Sequence, residues 1–186
     1  KDHLCTLKTQ KKTHTVGLYA SLSGQYTEVF NDPAFWLGGR IGFVFNHKWV
    51  IGLEGQALNY DQKLTKLASE GHYRLEAAHT GLYVEYLQPL GKKFKLSGAI
   101  HTGQGLAQYR YDKNTSENLE WYEEFLDRDT YAVFQPEIRL YFNIKGKWWT
   151  AAEASYTTTS PVMLKGAKEN LLEGLNYGIS VSYGIF

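Results

Sequence analysis

Apolar and polar residues alternate with a period of two in eight stretches of the chain. Successive side chains of a β-strand point to opposite faces, so this alternation predicts eight strands that each bury one face. A helix would repeat its apolar residues every three or four positions instead. The eight stretches cover residues 13–25, 35–45, 49–59, 74–87, 94–108, 130–142, 148–158 and 175–186.

The gaps between these stretches differ in length in a regular way. Three gaps are short, three are long, and the first gap, residues 26–34, is intermediate. Short turns at one end and long loops at the other are typical of outer-membrane barrels. The short gaps are residues 46–48, 88–93 and 143–147, and the long gaps are residues 60–73, 109–129 and 159–174.

The pattern therefore predicts an all-β fold, an eight-stranded antiparallel up-and-down transmembrane β-barrel over residues 13–186. Residues 1–12, which contain the single cysteine, Cys5, are predicted to form a flexible N-terminal tail. An even number of strands places both termini at the short-turn end, which is periplasmic in such barrels. The expected location is the cell outer membrane. No signal peptide is visible at Lys1, so the chain is either cytosolic or already processed, and we expect the processed form because a barrel of the outer membrane must be exported.

The two faces of the predicted strands differ in chemistry. One face is apolar, as Ile41, Leu53, Val84 and Ile179 illustrate, whereas the other collects glycine, serine and charged residues. The narrow interior of an eight-stranded barrel requires small residues, so the apolar face is predicted to contact lipid. Aromatic residues near both ends of the apolar face predict two girdles at the membrane interfaces.

Two segments depart from a regular strand pattern. Pro136 lies inside the sixth stretch and cannot donate a ladder hydrogen bond, so a bulge or local distortion is predicted there. Residues 60–73 carry a segment that is not strand-like, and a short helical turn is an alternative for them.

Overall composition limits the classes of partner. Lysine and arginine number 20 against 19 acidic residues, a net charge of +1, so nothing favours nucleic acid as a partner. No run of about 18 apolar residues exists, which excludes a transmembrane helix. The mean hydropathy of −0.40 would usually indicate a soluble protein, but membrane barrels expose only alternate residues to lipid.

Three segments carry a resemblance to a known class. They are Gly38-Gly39-Arg40-Ile41-Gly42, the turn Asn46-His47-Lys48-Trp49, and the closing stretch from Tyr177 to the terminal Phe186. Over residues 13–186 the chain resembles the small outer-membrane barrels of the OmpA/OmpX type, and it is similar above all to the glycine- and aromatic-rich barrels of Bacteroidota. The resemblance implies that barrel-assembly machinery recognises Tyr183 and Phe186, and that outer-membrane lipid surrounds the chain. Phe186 lies at an even position, however, whereas the apolar residues before it are odd.

Charged side chains on the small-residue face predict a network inside the barrel. Arg40 and Glu54 should lie directly opposite each other, and Arg139 should lie next to Glu137 and within diagonal reach of Glu153. Buried charges are costly unless they are paired, so we expect these groups to form a plug that closes the lumen. An acid/base site or a proton path is the alternative. The inward set is Arg40, Glu54, Glu85, Glu137, Arg139, Glu153, His79 and His101.

Other candidate chemistry is sparse. His79 and His101 could lie close together, but a metal site needs three or four ligands, so we expect core histidines, no metal and no cofactor. No Gly-x-Ser-x-Gly motif or Ser/His/acid set can be assembled, and Ser69 with His72 is the one weak pair for catalysis.

The long loops carry candidate recognition residues. Exposed aromatic residues among acids suit a protein-binding surface, although the same rings could rest on the barrel rim. The fifth gap contributes Tyr109, Tyr111, Trp121, Tyr122 and Phe125. The last loop has apolar residues at 161–164 and 171–172, which could cover the rim, touch headgroups or dock a partner subunit.

Three functions remain open from the sequence. The first is a non-enzymatic outer-membrane scaffold with a closed lumen, whose long loops bind a partner or join it to a larger assembly. The second is an outer-membrane enzyme that modifies lipid or peptide. The third is a soluble ligand-binding barrel in which the apolar face points inward.

Overall fold

The computed structural model describes residues 15–60, 73–111 and 125–184. They form one closed barrel in which each strand is hydrogen-bonded to the next in chain order, and the last strand pairs with the first. The strands are β1 (Val16–Val29), β2 (Asp32–Phe45), β3 (Trp49–Asn59), β4 (Tyr73–Pro89), β5 (Phe94–Tyr111), β6 (Phe125–Lys145), β7 (Trp148–Thr159) and β8 (Gly174–Gly184).

All neighbouring strands are antiparallel, which confirms the predicted eight-stranded up-and-down barrel. The β1–β8 ladder runs from Tyr19 opposite Gly184 to Tyr26 opposite Tyr177 and closes the sheet. No helix of the described residues is long and apolar enough to cross a membrane. The predicted N-terminal tail and the alternative helical turn lie largely outside the described residues and stay predictions.

Three short connections lie at one end of the barrel, which we call the turn end. The opposite end, the loop end, carries the three longer connections together with the tight turn between β1 and β2. The turn end consists of residues 46–48, 90–93 and 146–147. Asn46 and His47 adopt positive φ angles of 52° and 57°, and Gly146 adopts 58°. Positive φ in a hairpin turn matches the right-handed twist of the strands that it joins.

The first connection is shorter than the sequence predicted. Instead of a gap over residues 26–34, β1 continues to Val29 and β2 begins at Asp32. Phe30 and Asn31 form the turn between them, with φ angles of 54° and 65°. The predicted gap was too long because two positive φ angles allow this tight turn, and glycine is the usual sequence signal for such angles. Neither Phe30 nor Asn31 is glycine.

Pro136 interrupts one ladder without a bulge. On the β5 side it pairs with Ile100 in unbroken register. On the β7 side, Phe134 pairs with Thr158 and Glu137 pairs with Ser155. The ladder is therefore interrupted at Gln135 and Pro136 and continues in the same register. The missing N–H of proline accounts for the lapse. The predicted distortion is therefore local, and the register shift that a bulge would produce is absent here.

The apolar face of the strands points outward. Ile41, Leu53, Val84 and Ile179 are 59%, 54%, 41% and 70% exposed. A water-soluble barrel would fill its interior with these side chains, so the soluble ligand-binding alternative places them on the wrong side. Burying them in lipid satisfies the apolar surface.

The interior of the barrel has three layers. Aromatic and apolar side chains fill the turn end, charged and amide side chains fill the middle, and a second apolar cluster fills the loop end. The turn-end cluster consists of Tyr19, Val44, Val50, Tyr83, Leu87, Tyr141, Trp149 and Ala151. This layering places the polar groups where neither water nor lipid reaches them.

Two glycines bring β4 and β5 into close approach inside the barrel. Gly81 lies opposite Gly103. A Cβ atom at Gly81 would lie 2.1 Å from the carbonyl oxygen of Thr102, and one at Gly103 would lie 2.1 Å from that of Thr80. Backbone atoms cannot yield as a flexible side chain can, so both positions require glycine.

We expect Gly81→Ala to lower the free energy of unfolding by about 1–3 kcal/mol, the usual range for overpacking. Gly98 is the matched control on β5, because a Cβ atom there meets nothing within 4 Å. Gly98→Ala should stay within about 0.5 kcal/mol of the parent protein. Urea titration of the folded barrel in detergent, followed by tryptophan fluorescence, measures both. Equal effects of the two variants would contradict this account of the close approach.

Candidate functional site

Ion pairs connect opposite walls of the lumen. Arg40 on β2 lies directly across from Glu54 on β3, and its Nη2 atom is 2.7 Å from Glu54 Oε1. The same Nη2 atom contacts Glu137 Oε2 on β6. All three side chains are at most 1% exposed. One guanidinium therefore joins two strands that are not neighbours in the sheet.

A second guanidinium continues the network. Arg139 Nε donates to Glu137 Oε1 on the same strand. Its Nη2 atom lies 3.1 Å from Glu153 Oε2 on β7, and the two residues are direct cross-strand partners rather than the diagonal neighbours that the sequence suggested. Glu137 is thus shared by Arg40 and Arg139. This bridge makes the two pairs one network, which we call the lumen network.

Neutral donors complete the lumen network. Gln25 Nε2 donates to Glu153 at 2.9 Å, and Gln56 Nε2 donates to Glu54 at 2.7 Å. Glu85 accepts from Ser97 at 2.6 Å and from the Tyr141 hydroxyl at 2.8 Å. Carboxylates outnumber guanidinium groups in this cluster, so such donors supply hydrogen bonds that the two guanidinium groups do not provide.

The predicted network was limited to titratable residues, so it did not include the buried neutral polar residues. Gln25, Gln56, Gln135, Ser155 and Asn176 are all buried in the barrel. Each occupies an inward position of its strand. The alternation that identified the charged groups would have identified these too, had every polar inward residue been counted.

The two predicted histidines meet beside the close approach of β4 and β5. The ring centroids of His79 and His101 are 5.3 Å apart. The pair Gly81–Gly103 lies between them in the register. His79 also packs on Trp36 at 4.7 Å, and its Nδ1 atom is 3.3 Å from the Tyr131 hydroxyl. Among the residues that the structure describes, no cluster of three His, Cys, Asp or Glu side chains could hold a metal ion.

The connection between β7 and β8 covers the loop end of the barrel. We call residues 160–173 the cap. Its apolar residues are buried in a cluster with strand residues such as Trp36 and Tyr131. Of the roles left open for this segment, the structure places it over the rim. The buried cap residues are Val162, Leu164, Leu171 and Leu172.

Carboxylates of β6 hold the cap in place. Asp129 accepts from the backbone N–H of Met163, and Asp127 accepts from that of Lys165, both at 2.7 Å. Tyr60, beside the cap, donates to Asp32 at 3.3 Å. Burial, together with the Asp32 carboxylate, raises the pKa of Tyr60 to about 12, so its hydroxyl stays a donor at neutral pH.

The predicted loop residues have different fates. Tyr109 is fully buried in the apolar cluster beneath the cap, so the expectation that it is exposed to a partner is wrong. It occupies an inward position because β5 extends to Tyr111, beyond the predicted end. Tyr111 and Phe125 form the strand ends next to the loop. Trp121, Tyr122, Ser69 and His72 lie outside the described residues.

The proposed assembly signal is described in part. Tyr183 is outward and 47% exposed, and it packs on Trp148 with ring centroids 5.1 Å apart. Phe186 and Cys5 lie outside the described residues.

Comparison with solved structures defines the class of fold. The chain is similar to the N-terminal β-barrel domain of Pseudomonas aeruginosa OprF, with a TM-score of 0.55 and 11% identity over 91% of this chain and 97% of that one. It is also similar to Neisserial surface protein A, with a TM-score of 0.64 and 8% identity over 92% and 99%. Neither a protein-family model nor a curated protein matches the chain.

These similarities show the fold, that of a small outer-membrane barrel of the predicted OmpA/OmpX type. Neither structure comes from Bacteroidota, so the comparisons lend that affiliation no support. At such low identity the geometry of the lumen and the loops must be interpreted from this chain alone.

Proposed function

We propose that the protein is a non-enzymatic scaffold of the outer membrane, with a sealed lumen and loops that bind a partner. The observation that carries the proposal is the combination of an apolar outer face with an interior packed from end to end. The outer face suits a lipid environment, and the filled interior removes the route that a pore would need.

Three barriers in series support the closed lumen. The turn-end aromatic cluster, the lumen network and the cap each span the interior with buried side chains. Arg40 on β2 is ion-paired with Glu137 on β6 across the lumen, so opening the middle would separate buried charges.

A closed lumen predicts that the protein does not conduct ions. Purified protein reconstituted in planar bilayers should give no stepwise conductance, and its folded form should migrate differently from a boiled sample on a gel. Gel mobility shows that folded barrel was present in the assay. Reproducible channel steps from folded protein would contradict the scaffold proposal.

The proposed partner surface is the loop between β5 and β6. The strands beside it are the longest of the barrel, with 18 residues in β5 and 21 in β6, compared with 11 in β3 and β8. Long strands carry the loop away from the membrane on a rigid support. Residues 112–124 combine Trp121 and Tyr122 with several acidic residues, a composition that suits protein recognition.

Exchange of one loop tests this surface. Residues 113–123 are replaced by a short Gly-Ser linker, and partners are captured from native membranes by cross-linking. We expect the partner to be lost from this variant and kept by a control in which residues 63–70 are replaced in the same way. Unchanged partners in the first variant would reject the loop as the contact.

The location completes the proposal. Both termini would lie in the periplasm, and barrel-assembly machinery would recognise the β8 end through Tyr183 and Phe186.

A further inference from the structure

The turn end of the barrel is uniformly basic. Each of its three turns carries at least one lysine, and every such side chain is exposed. Glu85, the acidic residue closest in sequence to these turns, points into the lumen and is buried. None of the described residues of the turns themselves is acidic. The basic residues are His47, Lys48, Lys92, Lys93, Lys145 and Lys147.

The loop end has mixed charge, so the asymmetry does not follow from composition. The net charge of the whole chain is only +1. Exposed cations at the loop end, such as Arg128 and Lys168, are balanced by exposed carboxylates such as Glu28 and Glu169. Opposite charges in one region largely cancel at a distance. Among the residues that the structure describes, the turn end therefore presents an unbalanced positive surface and the loop end does not.

The three turns also repeat one local arrangement. Lysine is the last residue of each turn, and an outward aromatic residue begins the next strand. The pairs are Lys48–Trp49, Lys93–Phe94 and Lys147–Trp148. The aromatic side chains are 46–49% exposed.

Each of these aromatic rings packs on a second ring of the neighbouring strand. Trp49 lies 4.9 Å from Tyr86, Phe94 lies 5.3 Å from Phe142, and Trp148 lies 5.1 Å from Tyr183, measured between ring centroids. Outward aromatic rings at a strand end settle where hydrocarbon meets headgroups. The lysine that directly precedes each ring in the chain belongs to the turn, so it lies at the level of the headgroup phosphates, which its flexible stem can reach.

We propose that the turn end binds anionic phospholipid headgroups of the surrounding leaflet through Lys48, Lys93 and Lys147. The inference rests on the proposed function, because it requires a membrane-embedded barrel. The three turns follow β2, β4 and β6, so they lie two strands apart around the closed barrel. A compact soluble ligand needs cations that converge on one point, whereas an annulus of lipids meets cations distributed around the perimeter.

Quenching by brominated lipids tests the proposal, because Trp49 and Trp148 stand beside two of the lysines. The full chain is reconstituted in symmetric vesicles that contain phosphatidylglycerol and phosphatidylcholine in equal amounts. In one sample only the phosphatidylglycerol carries bromine near the top of its acyl chains, and in the other only the phosphatidylcholine does. Because both leaflets have the same composition, the orientation of the barrel does not matter. The buried Trp36 and Trp149, and Trp121, provide a background common to both samples.

From the quenching we expect an association constant for phosphatidylglycerol that is on the order of fivefold higher than that for phosphatidylcholine. This is the effect of one lysine near an anionic surface. The ratio of the two association constants should fall towards one in the triple variant Lys48→Gln/Lys93→Gln/Lys147→Gln. It should also fall at about 0.5 M salt, where screening is strong. The matched control is Arg128→Gln/Lys165→Gln/Lys168→Gln, which removes the same charge from the loop end and should keep the preference.

The outcomes separate this inference from the proposed function. Equal quenching by both lipids, or a preference that survives in the turn variant, would overturn the lipid site while leaving the membrane barrel intact. Absence of quenching by either lipid would show that the barrel is not inserted and would overturn both. Lysine-dependent binding of inorganic polyphosphate without a lipid preference would reassign the lysines to a soluble polyanion. If the triple variant lacks the gel shift of a folded barrel, the three single variants decide, each losing part of the preference.

Discussion

Arg139→Met is expected to lower the free energy of unfolding by about 3–5 kcal/mol, the usual cost of removing one partner of a buried ion pair. Methionine fills a similar volume but leaves Glu137 and Glu153 without the guanidinium that contacts both. The two carboxylates are at most 1% exposed, so water cannot replace the lost contacts. Denaturant titration of the folded barrel in detergent or lipid measures the loss.

Two further variants show whether the loss comes from the lumen network. Arg110→Met removes an exposed ion pair to Glu76, in which the side chains are 50% and 44% exposed, and should cost about 0–1 kcal/mol. Adding Glu153→Gln to Arg139→Met removes one stranded charge and should restore part of the stability. A small effect of Arg139→Met, comparable with that of Arg110→Met, would mean that the buried pairs contribute little.

Ile138→Arg is expected to cost about 2–4 kcal/mol in a bilayer, as for arginine on the lipid face of a barrel near the midplane. Ile138 is outward, 63% exposed, and lies midway between Phe134 and Phe142, two outward aromatic residues of β6. A charge at this depth lies as far as possible from either interface. Folding into vesicles of defined lipid, followed by urea titration, measures the cost.

Ile144→Arg is the depth control on the same strand. Ile144 is also outward, 57% exposed, but lies beyond Phe142 next to the turn 146–147. The same substitution near an interface should cost only about 0–1 kcal/mol. Equal costs at Ile138 and Ile144 would argue against a lipid-facing outer surface, since only a membrane makes the cost depend on depth.

The strands and their faces could be predicted because alternation is a local signal. β3 runs over the predicted residues 49–59, and β7 differs from its prediction by one residue at one end. The same signal allowed the pairing of Arg40 with Glu54 to be predicted, because a short turn fixes the register of the two strands that it joins. Where the connection is tight and the faces are distinct, the local pattern determines the pairing.

Contacts across the lumen could not be predicted in the same way. The contact of Arg40 with Glu137 joins β2 to β6, and its existence depends on the tilt and stagger of the closed barrel. Neither quantity is encoded in the alternation of a single strand. The burial of Tyr109 depends in turn on the cap, whose path over the rim is set by contacts with Asp127 and Asp129 far away in sequence.

The seal at the loop end has a consequence for how the chain can vary. The cap closes the barrel with its own apolar residues and is held by carboxylates on β6. These contacts do not involve residues 113–123. Under the proposed function, substitutions and insertions in residues 113–123 would therefore leave this seal intact, so variation of that loop would not open the barrel.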